Sequence, residues 1–368
     1  MRLLKYLVIL RKILEYSFSP PKKYFRGEEK SMMRVFMELV AHFLRTGTFN
    51  DMYYAFGLNI KGRSPGEYIA KRQINRMVAG RNMELRSNGH IINTSGYDIL
   101  TKDKFYLSAI LKSQGLPVVE NVGLISENKI IDHQRLEHTL DHLFQMDMPL
   151  LIKNTTLEYN EGILFVERNL SGYLVNGQKR EKQQIARELS QGRWIIQDVY
   201  RSSESIRKIN DTALNTTRIV TVLGKNGPEY LTGFQAFATT GEVTDCWDKR
   251  SLYVGFDPKS EFLYERGFYH PAVKGKSMVL EHPESKIVFK DYKIPGLASA
   301  VDLCKEAHRY FYYTWLVGWD VAITDDGPKI LEANEKPGMN AVQCVNGGLR
   351  SKLCLIQNSV HENAFSVK

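Results

Sequence analysis

Acidic residues near the C-terminus have the types and the spacing of a metal site. They lie in GWDVAITDDGPKILEANEKPGMN, Gly318 to Asn340, where two apolar-rich segments flank an Asp-Asp-Gly turn. This pattern predicts a β-hairpin with a three-residue loop at Asp325–Gly327, its glycine in the left-handed region. Such a loop places Asp320 directly opposite Glu332, and Asn334 follows two residues later on the same strand face.

Two carboxylates and an amide oxygen that converge in this way suit a hard divalent cation. Mg²⁺ commonly takes one or two carboxylates and completes its shell with substrate phosphates, and Mn²⁺ accepts similar ligands. We therefore predict that Asp320, Glu332 and Asn334 are metal ligands. The alternative is a hairpin with a polar, solvated face, because a one-residue change of the loop would separate the two carboxylates.

Cationic residues elsewhere in the chain are candidates to meet phosphate. Lys153 ends the apolar segment PLLIK, where its ammonium is either a point charge for phosphate or a snorkelling group at a sheet edge. Arg218 begins the predicted strand Thr217–Leu223 on an otherwise apolar face and needs a partner. That partner is phosphate, an acyl phosphate or a structural salt bridge. Lys249 and Arg250, in a predicted loop, are further candidates for contact with nucleotide or substrate.

The pattern of elements predicts an α+β fold with antiparallel strand pairs rather than regular βαβ alternation. Residues 1–90 are mainly helical and basic, and residues 91–195 mix strands and helices. Residues 196–350 are richest in strands, and residues 351–368 form a tail. The length of 368 residues agrees with several subdomains rather than one compact unit.

The motifs, taken together, resemble those of the ATP-grasp superfamily. Asp320, the Glu-x-Asn of residues 332–334 and Pro337-Gly338-Met339 are similar to its C-terminal metal motif, and more distantly to the ending of D-alanine–D-alanine ligase. With Asn215–Thr221 and the basic N-terminal region, the chain is most similar to the sugar-transfer-associated ATP-grasp family, which is linked to polysaccharide synthesis. The resemblance implies an ATP-grasp fold, two α+β lobes that clamp ATP, behind a basic helical extension.

The resemblance also implies further nucleotide-binding residues. Lys104 opens the predicted helix Lys102–Gln114, where the family places a lysine that reaches the ATP phosphates. The inter-lobe hinge that holds adenine and ribose corresponds to Gln197, Asp198 and Val199.

The loop that covers phosphate in the family corresponds to Glu158–Gly162, which makes Gly162 a nucleotide-binding candidate. Relatives have Lys-Pro followed by several glycines, whereas Asn154 follows Lys153 in this chain and only one glycine is present. Because loops with few glycines approach phosphate less closely, the phosphate contacts are expected to differ in detail.

The net charge of +9 is concentrated near the N-terminus. Residues 1–100 carry 17 Lys+Arg and 8 Asp+Glu, whereas the remaining residues carry 33 of each. Such an excess predicts an anionic partner or surface. Nucleic acid is not expected, because the aromatic residues of this region are not spaced as a stacking platform.

Residues Met1–Phe18 predict a basic amphipathic helix with uncharged runs too short to span a bilayer. Its predicted apolar face comprises Leu3, Leu7, Leu10, Ile13 and Leu14. The helix either packs on its own domain or lies on an anionic inner leaflet. We accordingly predict a cytoplasmic protein, with peripheral contact at the inner membrane face as the alternative that this helix leaves open.

Other constellations favour no chemistry. The four cysteines form no CxxC pair, which fits a reducing cytoplasm better than a disulfide framework. The segment with His133, His138 and His142 is predicted to be a solvated amphipathic helix rather than a zinc site. His308, in an aromatic-rich helix, is predicted to be a packed core residue.

The combined prediction is an ATP-dependent carboxylate–amine ligase that works through an acyl phosphate and needs Mg²⁺, or Mn²⁺ in its place. The expected partners are ATP and small-molecule or saccharide-linked carboxylate and amine substrates. Two alternatives stay open at this point. They are an ATP-dependent phosphotransferase on the same fold and a non-enzymatic protein that binds a membrane surface.

Overall fold

The computed structural model of the chain describes residues 2–20, 25, 27–88, 97–157, 162–170, 172–239, 251–270 and 278–356. Lys249, Arg250 and most of the predicted phosphate-covering loop lie outside these ranges. The described residues form two antiparallel sheets with helices packed against them, which confirms the α+β class.

An eight-stranded antiparallel sheet belongs to the first lobe. Its strands are β1 (Asn121–Ser126), β2 (Lys129–Asp132), β3 (Glu137–Thr139), β4 (Leu150–Asn154), β5 (Ile163–Asn169), β6 (Gly172–Val175), β7 (Gln178–Arg180) and β8 (Trp194–Gln197). They are ordered β3-β2-β1-β8-β4-β5-β6-β7. Strand β8 is central and buried along its whole length, which explains its uninterrupted apolar sequence Trp-Ile-Ile.

A seven-stranded antiparallel sheet carries the acidic hairpin. Its strands are β9 (Thr216–Gly224), β10 (Gly227–Ala238), β11 (Ser251–Phe256), β12 (Leu263–Tyr269), β13 (Met278–Val279), β14 (Leu316–Thr324) and β15 (Gly327–Asn334). They are ordered β13-β12-β11-β10-β9-β14-β15, so β14 lies between β9 and β15.

Nine named α-helices accompany the sheets in the described residues. They are α1 (Arg2–Phe18), α2 (Met32–Thr46), α3 (Lys71–Asn88), α4 (Ile99–Lys102), α5 (Lys104–Ser113), α6 (Lys182–Leu189), α7 (Glu204–Ile209), α8 (Leu297–Arg309) and α9 (Met339–Asn346). In these residues no helix is both long enough and apolar enough to cross a bilayer.

Two helix predictions are corrected by the structure. The helix predicted over Lys102–Gln114 is divided at Asp103, whose Oδ1 accepts hydrogen bonds from the first N–H groups of α5. The histidine segment is not an α-helix, because β3 pairs with β2 and a 3₁₀ turn, Leu140–Gln145, follows it. There His138 Nε2 donates a hydrogen bond to Asp132 Oδ2 at 2.8 Å, a contact that the helical prediction did not include.

The acidic hairpin reaches its predicted pairing by a different route. Thr324 pairs with Gly327, so the turn contains two residues rather than the three predicted. That shift alone would put Asp320 opposite Leu331. A β-bulge at Leu331 restores the register, and Asp320 lies opposite Glu332 as expected.

The two faces of the seven-stranded sheet are covered by different helices. Ile219 and the odd-numbered residues of β14 pack with α5, α7 and α8 in one core. Val220 and Val222 face the other way and pack with α3 and α9. Arg218 shares the parity of Val220, so the charged row described below lies on the face that α3 and α9 cover.

The N-terminal region is joined to this second face by apolar and polar contacts. Its core includes Phe268 of β12 and Cys344 of α9. Residues Ile69 and Gln343 exchange two hydrogen bonds, Ile69 N–H to Gln343 Oε1 at 2.8 Å and Gln343 Nε2 to Ile69 O at 3.0 Å. Asn82 of α3 accepts a hydrogen bond from Trp315 N at 2.7 Å. The N-terminal helices therefore pack directly on the lobe that contains the seven-stranded sheet.

Candidate active site

Three charged side chains lie side by side on neighbouring strands. Arg218 of β9 is opposite Asp320 of β14, and Asp320 is opposite Glu332 of β15. Arg218 donates from Nε to Asp320 Oδ1 at 2.5 Å and from Nη2 to Oδ2 at 2.9 Å. Asp320 is only 8% exposed, so this bidentate ion pair is largely withdrawn from water. The structural salt bridge considered for Arg218 is present, and the metal-motif aspartate forms it.

Gly318 makes room for this pair and for the turn after β15. It lies opposite Asn334, two residues from Asp320 and on the same face. A Cβ at Gly318 would lie 2.6 Å from Pro337 Cβ and 3.3 Å from Arg218 Nη1. Only glycine therefore lets the chain after Asn334 close over the arginine.

The two adjacent carboxylates are electrostatically coupled. Burial raises the pKa of Asp320 well above its ordinary value, an effect that Arg218 opposes and Glu332 reinforces. For Glu332, burial also raises the pKa, but its hydrogen bond with Asp320 and nearby cations outweigh it and leave the pKa lowered. Those cations are Lys104, Lys153 and Arg218.

Lys104 connects the acidic row with the other sheet. Its side chain is 9% exposed, and Nζ donates to Leu157 O at 2.8 Å, just beyond β4. The same Nζ lies 4.0 Å from Glu332 Oε2. The cap at Asp103 fixes the start of α5, so it also fixes the position of this ammonium between the lobes.

Lys153 approaches the same carboxylate from β4. Its backbone pairs with Ile163 of β5 and Ile195 of β8, and its charge is among those that lower the pKa of Glu332. Gly162 begins the return strand at φ +69°, where a Cβ would lie 2.8 Å from Asn154 Cβ. The glycine thus closes the base of the predicted covering loop, whose residues 158–161 lie outside the described ranges.

The segment Gln197–Val199 occupies the crossing from the first sheet to the second. Gln197 ends β8, is 2% exposed, and donates from Nε2 to Asn121 Oδ1 at 2.8 Å. Asp198 and Val199 are exposed beyond the strand. Ser203, a few residues later, donates its N–H to Ile323 O of β14 at 2.7 Å. The segment thus connects the two sheets, and the buried Gln197 side chain is hydrogen-bonded to Asn121.

The donor set fits a hard divalent cation. Asp320 and Glu332 supply carboxylate oxygens, and Asn334 lies one pleat further along the same face of β15. Each oxygen of Asp320 that accepts from Arg218 retains a second lone pair. Two carboxylates this close also need a cation to be charged together. Among the described residues, no group of three or more His, Cys, Asp and Glu side chains forms a metal site, so the amide of Asn334 is the third donor to consider.

One buried acid next to the motif was missed by the sequence prediction. Glu335 follows Asn334 and is 4% exposed, with Oε2 3.6 Å from Arg86 Nη2 of α3 and Oε1 2.9 Å from Lys336 Nζ. The Arg86 guanidinium also lies 4.8 Å from the ring centroid of Tyr97. The signal in the sequence was the presence of a second acidic residue three positions after Glu332. Its partner, Arg86, is 249 residues away along the chain.

Solved structures similar to this one are ligases and synthetases of low sequence identity. The D-alanine–D-alanine ligase from Coxiella burnetii gives a TM-score of 0.40 at 11% identity over 73% of this chain and 60% of that chain. Phosphoribosylamine–glycine ligase from Thermotoga maritima gives 0.40 at 10% identity over 72% and 56%. The N5-carboxyaminoimidazole ribonucleotide synthetase from Thermotoga maritima gives 0.35 at 11% identity over 72% and 54%. The chain therefore spans between half and two thirds of the length of these enzymes.

A search of curated proteins found no match. The profile of the sugar-transfer-associated ATP-grasp family matches residues 89–358, which is most of the chain. It includes the charged row of Arg218, Asp320 and Glu332 and both lysines, but not Arg86. By this match the chain belongs to the sugar-transfer-associated ATP-grasp family and has the ATP-grasp fold.

Proposed function

We propose that this protein is an ATP-dependent carboxylate–amine ligase that works through an acyl phosphate. The observation that carries the proposal is the meeting of Asp320 and Glu332, on the seven-stranded sheet, with Lys104 of α5 and Lys153 of the eight-stranded sheet. Carboxylates that hold a divalent cation, facing lysines that meet phosphate, are the parts that phosphoryl transfer from ATP needs.

In the first step, the carboxylate of the substrate attacks the γ-phosphorus of ATP, and the bond to the β,γ-bridging oxygen breaks to release ADP. Lys104 and Lys153 would hold the phosphates as fixed charges, so little reorganisation is needed as charge moves to the leaving group. Mg²⁺ held by Asp320, Glu332 and Asn334 would neutralise phosphate charge when bound. Gln197–Val199 would hold the adenosine at the crossing between the sheets.

In the second step, an amine attacks the acyl carbon, inorganic phosphate leaves and an amide forms. We propose that Arg218 stabilises the oxyanion, because Asp320 fixes one edge of its guanidinium while Nη1 lies beside Gly318. Arg250 and Lys249 are proposed to reach the nucleotide or the substrate. The substrates are proposed to be sugar-linked or cell-envelope-related, in keeping with the family's association with sugar transfer.

A phosphotransferase on the same fold would use the same first step with a hydroxyl as the nucleophile. The test is a screen of candidate acids and amines with ATP and Mg²⁺, in which ADP, free phosphate and product mass are measured together. A ligase gives ADP, phosphate and an amide in equal amounts, whereas a phosphotransferase gives ADP and a phosphorylated product. If the wild-type protein binds no ATP by calorimetry, both assignments are wrong.

We also propose that the first two helices contact an anionic lipid surface. Helix α1 buries Ile9 and Ile13, yet its exposed side is apolar as well. The exposed apolar residues at helical spacing are Leu4, Leu7, Leu14 and Phe18 in α1, and Met33, Met37 and Leu44 in α2. We call them the N-terminal apolar stripes.

The stripes are unusual for this molecule and lie in a basic setting. Of the 25 large apolar side chains that are exposed in the described residues, 11 belong to the first 44 residues, so the exposure is concentrated. Residues 1–50 contain ten Lys+Arg against four Glu and no Asp. An apolar side that inserts between headgroups, next to positive charge, complements an anionic bilayer.

Co-sedimentation with vesicles that contain anionic lipid tests this contact. The wild-type protein should pellet at low salt and partly remain bound at high salt, because salt screens charge but not apolar burial. Leu7→Ser combined with Leu14→Ser should release it. The matched control, Leu136→Ser with Leu355→Ser, removes two exposed leucines elsewhere and should bind like wild type. Equal binding by both double variants would contradict the assignment.

A further inference from the structure

A cleft lies between the N-terminal helices and α9, and none of the residues of the acidic row lines it. It has a volume of about 630 Å³, within the range of small-molecule sites. Its walls come from the end of α2, the segment 48–56, the first turns of α3 and Asn340 of α9. We call it the α3 cleft.

Positive charge dominates the α3 cleft. Lys71, Arg72 and Arg76 line it, against the single carboxylate of Asp51. In the part of the chain that the structure describes, none of these three cations forms an ion pair. The first turn of α3 has no acidic residue, so the positive end of the helix dipole adds to the same field.

The charge of the cleft can be counted at neutral pH. His42 also lines it, and burial, assisted by Arg45 and opposed by Asp51, lowers the pKa of His42 below 6.5. The histidine is therefore neutral at pH 7. Three cations and one carboxylate leave two positive charges, which matches the charge of about −1.5 to −2 on a phosphate monoester.

The rest of the lining suits a polar organic molecule. Asn75 and Asn340 offer amide donors and acceptors, and Phe49 and Phe56 offer apolar faces. Amide groups beside aromatic rings suit a neutral, hydroxyl-bearing part of a ligand next to its anionic part. The cleft is therefore built for a molecule that has both parts.

The cleft is also close enough to the acidic row to hold the far end of a substrate. Asn340 follows Asn334 by six residues, so the two lie at most about 20 Å apart. Both α3 and α9 pack on the sheet face that carries Arg218 and Asp320. Lys104 and Lys153, proposed for the ATP phosphates, are not among the residues of the cleft.

We propose that the α3 cleft binds a phosphate group carried by the substrate, so that the enzyme acts on a phosphate-bearing molecule. The residues of the cleft support anion binding by themselves, whereas the assignment of that anion to a substrate rests on the proposed ligase function. Binding energy from this remote group would position the reacting end at the metal centre. The phosphate belongs either to a sugar phosphate or to a lipid headgroup.

The test is calorimetric titration of inorganic phosphate into the full-length protein, with a β,γ-methylene analogue of ATP and Mg²⁺ already bound. The analogue fills the nucleotide site, and its own binding reports on the proposed function separately. The wild-type protein should bind about one phosphate. The triple variant Lys71→Gln, Arg72→Gln, Arg76→Gln should bind it at least about tenfold more weakly, because the charges of three exposed side chains that line the cleft are lost together.

Two matched variants make the result specific. Lys129→Gln, Lys208→Gln, Lys305→Gln removes the same charge from exposed lysines outside the cleft and should change affinity less than about twofold. Asp51→Asn should tighten phosphate binding. Absence of phosphate binding in the wild type, or equal weakening in both triple variants, would overturn the proposal. A hexose phosphate or glycerol 3-phosphate that binds more tightly than phosphate identifies the source of the group.

Discussion

Lowering the pH from 7 to 5 should destabilise the lobe that contains the seven-stranded sheet through one buried histidine, His308 of α8. Its Nε2 lies 2.7 Å from Thr314 O, and its Nδ1 lies 2.7 Å from Thr221 Oγ1. A carbonyl only accepts, so Nε2 carries the hydrogen and Nδ1 accepts from the threonine hydroxyl. Thr221 Oγ1 in turn accepts from Trp319 Nε1 at 2.8 Å. A second proton on the ring would turn Nδ1 into a donor, so the Thr221 hydroxyl would lose the acceptor of its own hydrogen, and a charge would be buried.

The size of the effect follows from the pKa of His308. Burial lowers it from 6.5 to about 4, with the hydrogen bond to Thr314 opposing the change. The unfolded chain therefore binds this proton between pH 6.5 and 4 while the folded chain does not. Stability falls as the pH drops through this window, by about 3 kcal/mol in full and by about 2 kcal/mol at pH 5.

Urea unfolding followed by tryptophan fluorescence, at pH 7 and pH 5, measures this loss in the wild type and in His308→Gln. Glutamine keeps one donor and one acceptor but does not titrate. His42 and His282, whose pKa values are also lowered by burial, remain in both proteins. The difference between the two pH values should therefore shrink by about 2 kcal/mol in the variant. An equal acid loss in both proteins would refute the reasoning.

Three substitutions address the site. Glu332→Gln should leave the circular dichroism spectrum unchanged and lower ATP turnover at least about a hundredfold. Near-normal ADP release at the same Mg²⁺ concentration would exclude Glu332 as a metal ligand. Lys153→Ala should weaken Mg-ATP binding about tenfold by calorimetry. The control Lys129→Ala, which removes an exposed strand lysine, should not change it. If both variants bind Mg-ATP as the wild type does, Lys153 has no role in nucleotide binding. Arg218→Met should lower the free energy of unfolding by about 3 kcal/mol, because Asp320 is left buried without its ion-pair partner. An unchanged midpoint of urea unfolding would show that the Arg218–Asp320 pair is not withdrawn from water.

The acidic hairpin shows both the reach and the limit of prediction from sequence. The pairing of Asp320 with Glu332 was predicted from residue spacing, and it is present. The loop length was wrong by one residue, and the bulge at Leu331 compensates. Bulges depend on how a strand fits its neighbours, and no local signal in the sequence marks this one. The prediction was thus correct for the pairing of the two carboxylates and wrong for the path of the chain between them.

Helix α1 shows a different limit. Hydrophobic periodicity predicted one apolar face, and Ile13 from it is buried. Leu7, Leu10 and Leu14 from the same face are exposed, while Ile9 is buried instead. A helix with apolar residues on most of its circumference does not reveal which side meets the protein, because that depends on the partner surface. The contact between Arg86 and Glu335 could likewise not be predicted from the sequence, since the two residues are far apart along the chain.

The packing of α3 on the seven-stranded sheet limits where the chain can be truncated. The family profile starts at residue 89, but Ile74 and Val78 of α3 cover Val220 and Val222. A fragment that begins at residue 89 would leave that sheet face bare, a wide apolar surface that invites aggregation. It would also leave Glu335 without Arg86. We therefore expect the smallest fragment that folds and stays soluble to begin before Ile69. The segment that the family profile matches is shorter than the segment that this fold needs.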